Sequence, residues 1–170
     1  MLKINVMEKN AEIYDKIQCY FFGESFGQDK LDQNIGLSGY AIPDFGIAFR
    51  SQCIGNLFQC QYDGLLSLLK FIDTNKKNFV GKYFEVLSDS AVIIYQINQK
   101  KFITKNLRTY YNAVETYKKK FPVKMSWVPK EDNIAIDGVF EVPPLKIEEN
   151  LKLDFGIKDN PGLNNSNYIS

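Results

Sequence analysis

The sequence contains no histidine, one tryptophan and only three cysteines in 170 residues. Cys19, Cys53 and Cys60 are widely spaced and form no CxxC pair, so a zinc site of the usual Cys/His kind is excluded. The same count argues against a disulfide framework and fits buried thiols in a reducing cytoplasm. No apolar run approaches the roughly 20 residues that cross a bilayer, so no membrane partner is expected. Met1–Asn10 carries Glu8 among its apolar residues and lacks the basic, apolar and small-residue progression of a secretory signal. Internal repeats are absent. The net charge is only +1, so no overall bias points to a polyanionic partner.

What is present is the composition of a globular domain of ordinary size, 45% apolar and 24% charged. Aromatics reach 14%, nearly all Phe and Tyr, which favours a sheet-containing core. The charges are unevenly placed. Residues 100–130 hold nine basic residues against Glu115 alone, and residues 131–170 hold eight acids against three lysines. Two readings of the basic block stay open: a surface that attracts phosphates, or a solvated lysine-rich helix face.

Lys16–Phe22 reads as a strand, Gly23–Gly36 as a glycine-punctuated loop, and Leu37–Ile42 and Gly46–Cys53 as two further strands. From Phe58 to Asp73, apolar residues recur at spacings of three and four, with Leu66 and Leu68 widening the face as expected for a helix lying flat on a sheet. Tyr83–Leu87 is a strand, Ser90–Asn98 and Lys105–Lys120 are helices, and Val123–Val128 is a final strand. Helical crossovers make the later strands parallel, while short connections make the first three antiparallel. The expected architecture is a mixed five-stranded α/β sheet with helices on both faces. After Pro143–Pro144 the pattern fades into polar and acidic residues. Residues 1–140 therefore read as the domain and 141–170 as an acidic, partly flexible extension, with a further expectation that this tail folds over the basic block.

Three stretches resemble the ribonuclease H family, type 1, of the reverse-transcriptase-like branch. Leu87-Ser88-Asp89-Ser90, followed by Ile93, Gln96, Ile97 and Asn98, is similar to the family's strand-end "S-D-S" and the helix after it. Trp127-Val128-Pro129-Lys130-Glu131-Asp132-Asn133 running to Asp137 is close to "WVPREENxxAD". Leu37–Ile42 looks like the "GGYGxVI" second strand. The resemblance spans roughly residues 16–138 and implies the ribonuclease H fold.

It also implies a chemistry in which four carboxylates hold two divalent cations, Mg²⁺ or Mn²⁺, around an RNA phosphodiester. Asp89 and Asp137 fall on two of the four positions. Gln61 stands where a helical "AEYxAL" has its glutamate, and Asp63 is about 200° round the helix from it. In place of the first strand's "DGS" is Gly23-Glu24-Ser25. Aligned without a gap, Gly23 takes the acid's position and Glu24 points to the opposite face unless a bulge at Gly23 brings it round. The expected metal and catalytic set is Asp89, Asp137 and Glu24. The expected nucleic-acid contacts are Gln61, Ser90, Lys101, Lys105, Lys118, Lys119, Lys120 and Asn133. Trp127 reads as core, with base stacking as the alternative.

The resemblance thus implies a domain that binds an RNA–DNA hybrid or RNA with little or no cleavage, and with no cofactor if it is inactive. An active endonuclease with an altered metal site and a protein-interaction module stand as alternatives.

Overall fold

The computed structural model describes residues 15–138 and 153–154. Its strands are β1 (Asp15–Gln28), β2 (Asn34–Ile42), β3 (Ile47–Ile54), β4 (Lys82–Ser88) and β5 (Val123–Trp127). Its helices are α1 (Leu57–Thr74), α2 (Ala91–Gln99), α3 (Arg108–Lys118) and a single turn, α4 (Ile134–Asp137). The sheet order is β3-β2-β1-β4-β5, which puts β1 at the centre. β1 and β3 pair antiparallel with β2, and β4 pairs parallel with both β1 and β5. This is the mixed sheet that the element order predicts.

One segment differs from its sequence reading. The stretch read as a loop from Gly23 continues as strand to Gln28, in register with β2 as far as Asn34 and irregular between Ser25 and Gly27. Its polar residues are exposed, so the apolar pattern that marks a half-buried strand is missing there. Asp29 closes the hairpin by accepting from the backbone N–H groups of Leu31 and Gln33. The long helix expected over Lys105–Lys120 is a 3₁₀ turn, Lys105–Leu107, leading into the shorter α3.

α1 starts where Asn56 and Gln59 cap each other reciprocally, satisfying backbone donors that the first turn would leave open. Its apolar stripe, with Tyr62, Leu65, Leu68, Leu69 and Ile72 fully buried, lies on one face of the sheet against Ile17, Cys19, Phe21, Phe84 and Val86. Contact is so close that a Cβ on Gly64 would stand 2.2 Å from the Phe22 carbonyl oxygen. Only glycine permits backbone to ride on backbone in this way. α2 and α3 complete the layer with Ile93, Ile97, Leu107 and Val114. The opposite face has a second, much smaller cluster, Phe22, Ala41 and Ala135, flanked by Tyr20, Leu37, Ile134 and Ile136 under α4.

The boundary expected near residue 140 and most of the acidic tail lie outside the described residues. The two described tail residues sit at the C-terminal end of α1. Leu153 packs on the main core, and the backbone of Asp154 exchanges hydrogen bonds of 2.6 and 2.7 Å with the buried side chain of Asn75.

Candidate nucleic-acid site at the C-terminal edge of the sheet

Strand alternation decides which side chains can meet Asp89. Gln18 on β1 donates to Glu85 on β4, so even positions of β1 and odd positions of β4 share a face. The β1–β4 register runs to Tyr20 beside Leu87, and by strand alternation Phe22 is the next β1 residue on that face, in line with Asp89 just past the end of β4. Gly23 points the other way, into α1: a Cβ there would stand 2.2 Å from the Gln61 nitrogen. This corrects the ungapped placement. The β1 residue on the face of Asp89 is Phe22, and Gly23 is glycine because the helix backbone occupies its side-chain space. Glu24, as the next even position, needs no bulge at Gly23 to reach that face. Its carboxylate lies 3.8 Å from the ammonium of Lys130.

Asn133 joins these pieces. Its amide donates to the Asp89 carboxylate at 2.6 Å and to the Phe21 carbonyl at 2.9 Å, and its side-chain oxygen accepts from the Ala135 N–H. With 2% of its surface exposed and both side-chain polar atoms engaged, Asn133 positions α4 and Asp89 rather than facing a ligand. Asp137 is the exposed last residue of α4, and Gly138 ends the turn in the left-handed conformation at φ 63°.

Arg50 has no counterpart in the sequence reading. Phe22, Gly39 and Arg50 form one row across β1, β2 and β3. The guanidinium lies 5.4 Å from the centre of the Phe22 ring and donates to the carbonyls of Ala135 and Ile136. It therefore clamps α4 to the sheet by a cation–π contact and charge-assisted hydrogen bonds.

Gln61 is on the second turn of α1, with its side-chain oxygen buried and without a hydrogen-bond partner. Asp63 accepts a 2.5 Å bond from buried Ser38 and is thereby committed to the β2 side. Ser90 is buried, also with an unpartnered hydroxyl. Cys53 and Cys60 are buried, and burial above all, with a hydrogen bond between them, pushes the Cys60 thiol up to about 12. Neither thiolate chemistry nor a soft-metal site follows from such a thiol. Among the described residues, no three His, Cys, Asp or Glu side chains gather closely enough to share an ion.

The expected basic contacts separate into two places. Lys101 and Lys105 are exposed beside α2. Lys118 pairs with Glu115 at 3.0 Å and Lys120 with Asp73 at 2.7 Å. Asp73 is twelve residues along α1 from Gln61, roughly 18 Å at helical rise, so Lys120 lies at the far end of the domain, whereas Lys118 shares Glu115 with Lys100 just past α2. Trp127 departs from its core reading, being 54% exposed, because β5 is an edge strand that ends there.

Comparison with known proteins agrees with this fold. Residues 63–139 match the profile of the reverse transcriptase-like family. No curated protein sequence matches the chain significantly. LC11-RNase H1, isolated from compost by a metagenomic approach, superposes with a TM-score of 0.62 at 20% identity over 72% of this chain and 91% of its own. LC11-RNase H1 in complex with an RNA/DNA hybrid superposes at 0.55, with 15% identity over 69% of this chain and 88% of that one. Ribonuclease H1 from the halophilic archaeon Halobacterium salinarum NRC-1 gives 0.53, with 19% identity over 73% and 99%. The chain has the ribonuclease H fold, and within it residues 63–139 are reverse transcriptase-like in sequence.

Proposed function

We propose that this ribonuclease H-like domain binds nucleic acid, an RNA–DNA hybrid or RNA, and cleaves it slowly or not at all. The observation that carries the proposal is the buried aromatic ring of Phe22, packed with Ala41 and Ala135 on the face that Tyr20 shares with Leu87, where the family resemblance calls for an acid. Together with Gln61 it leaves two of four positions without charge. Hard divalent cations give up water only for anionic oxygens, and a phenyl ring and a neutral amide offer none. The residues present therefore do not fit a pair of such ions. Asp89 has one oxygen committed to Asn133, and Glu24 lies near Lys130, which weakens the alternative set of Glu24, Asp89 and Asp137. Nucleic-acid binding is supported by the likeness to a hybrid-bound ribonuclease H structure and by Lys101 and Lys105 beside α2, which have no ion-pair partner among the described residues.

The test is retention and cleavage of a labelled RNA–DNA hybrid in Mg²⁺ and in Mn²⁺. The expected result is salt-sensitive binding without appreciable hydrolysis. Phe22→Asp combined with Gln61→Glu should tighten Mn²⁺ binding measured by calorimetry, even if Phe22 loss softens the fold. Strong wild-type cleavage abolished by Asp89→Asn would overturn the reading in favour of an altered but active metal site. Failure to bind any nucleic acid would favour a protein-interaction module.

A further inference from the structure

A groove of about 750 Å³ opens beside α2, starting at Ala91, two residues beyond Asp89. Phe58, Val92, Tyr95 and Phe102 line it, with Thr104 and Asn106 at its rim. These apolar side chains are unusually open to solvent: Phe102 is 75% exposed, Tyr95 50%, Val92 44% and Phe58 37%. Single exposed apolar residues are ordinary, but four converging on one concavity are not.

The aromatic pair is held in place. Tyr95 and Phe102 lie near-parallel, 26° between planes and 6.1 Å between centres, an offset stack of two largely exposed rings. The loop carrying Phe102 puts two non-glycine residues in the left-handed region, Lys100 at φ 56° and Phe102 at φ 60°. Such backbone is costly and persists only where the surroundings enforce it. Here a buried relay does so: the Tyr62 hydroxyl donates to Gln96 at 2.9 Å, and the Gln96 amide donates to the Phe102 carbonyl at 3.0 Å. The strain thus holds an apolar ring out in water.

Cations outnumber acids in the segment that borders the groove. From residue 100 to 114 the chain has Lys100, Lys101, Lys105 and Arg108 and no acid. Lys100 is paired with Glu115 at 3.6 Å, whereas Lys101 and Lys105 have no carboxylate within ion-pair distance among the described residues. Exposed aromatic rings with phosphate-seeking cations next to them in the chain match a strand whose bases are unstacked. A closed double helix offers base edges and backbone but hides base faces.

We infer that the groove between Phe58, Tyr95 and Phe102 is a stacking site for unpaired nucleobases, so the domain prefers single-stranded nucleic acid, or the single-stranded flank of a hybrid, to a closed duplex. This rests on the nucleic-acid reading above and specifies the strand form it takes. The groove leads a bound strand toward Asp89, with Lys101 and Lys105 on its phosphates.

The experiment uses the full chain and one sequence prepared three ways: as a single strand containing 2-aminopurine, as an RNA–DNA hybrid and as a DNA duplex. Wild type should bind the single strand more tightly than either closed form and quench the 2-aminopurine emission by stacking. Phe102→Leu keeps an apolar side chain but removes the ring. It should weaken single-strand binding by roughly tenfold, the scale of one lost base–aromatic stack, abolish the quench and leave hybrid affinity unchanged. Lys101→Gln with Lys105→Gln should weaken all three forms and flatten the salt dependence. Unchanged single-strand affinity and quench in Phe102→Leu would overturn the groove assignment while hybrid binding kept the broader reading intact. Absence of binding to all three forms would overturn both.

Discussion

The two faces of the sheet are built on different scales. Beneath α1, α2 and α3 lies a continuous core that includes Phe21, Tyr62, Leu65, Phe84 and Ile93. On the other face the single turn α4 lays its buried Ala135 on Phe22 and Ala41 and is held by Asn133 and Arg50. Stability resides in the first face, while the second is held by a few directed bonds around Asp89. The difference teaches that a face with a single aromatic ring and a few directed bonds serves as a small packing surface, into which Asp89 is tied through Asn133.

Breaking the large face should have the greatest effect. Leu65→Ala removes a fully buried side chain and should cost about 3 kcal/mol of global stability, read as a shift in denaturant midpoint at unchanged slope. A smaller, local effect is expected on the other face. Asn133→Ala leaves the Phe21 carbonyl and Asp89 without their donor, a loss of about 1–3 kcal/mol. Amide hydrogen exchange should accelerate over Ile134–Gly138 and stay slow in α1. Equal acceleration in both would erase the distinction between the faces.

The smallest effect is electrostatic. Glu85 lies on the α4 side, where the Gln18 amide holds its carboxyl below the usual glutamate range against the opposing effect of burial, with Lys16 assisting. A folded pKa below the unfolded one stabilises above the ordinary value of about 4.3, and the benefit is lost as pH falls through the lowered folded pKa. Wild type should therefore exceed Glu85→Gln in Tm at neutral pH, and the gap should close on acidification. A gap that widened in acid would reverse the assigned sign.

Much of the fold was readable from the residues. The spacing of Phe58, Tyr62, Leu65, Leu69 and Ile72 marks α1, and the Ser-Asp-Ser and Trp-Val-Pro blocks set the order of the later elements. The site was less legible because β1 is buried on both faces. Tyr20, Phe21 and Phe22 form an unbroken apolar run, and such a run does not reveal which residue points to which side. The ungapped alignment therefore gave the acid's position to Gly23. Arg50 left no signal, being one polar residue in the alternating pattern of an edge strand. The aromatic groove was hidden for a similar reason: Tyr95 fits an amphipathic helix, and only its packing shows that it faces water.

Gly23 and Gly64 bring the backbone of α1 into contact with that of β1. The helix can neither roll about its axis nor drift from the strand, so the bearing of residue 61 is set by main chain rather than by neighbours that drift over time. Exchanging amide for acid there changes charge without changing aim, whereas replacing Phe22 removes a roof beam of the smaller face. A carboxylate at residue 61 is thus a single short step on the helix, whereas one at residue 22 calls for a rebuilding on the strand.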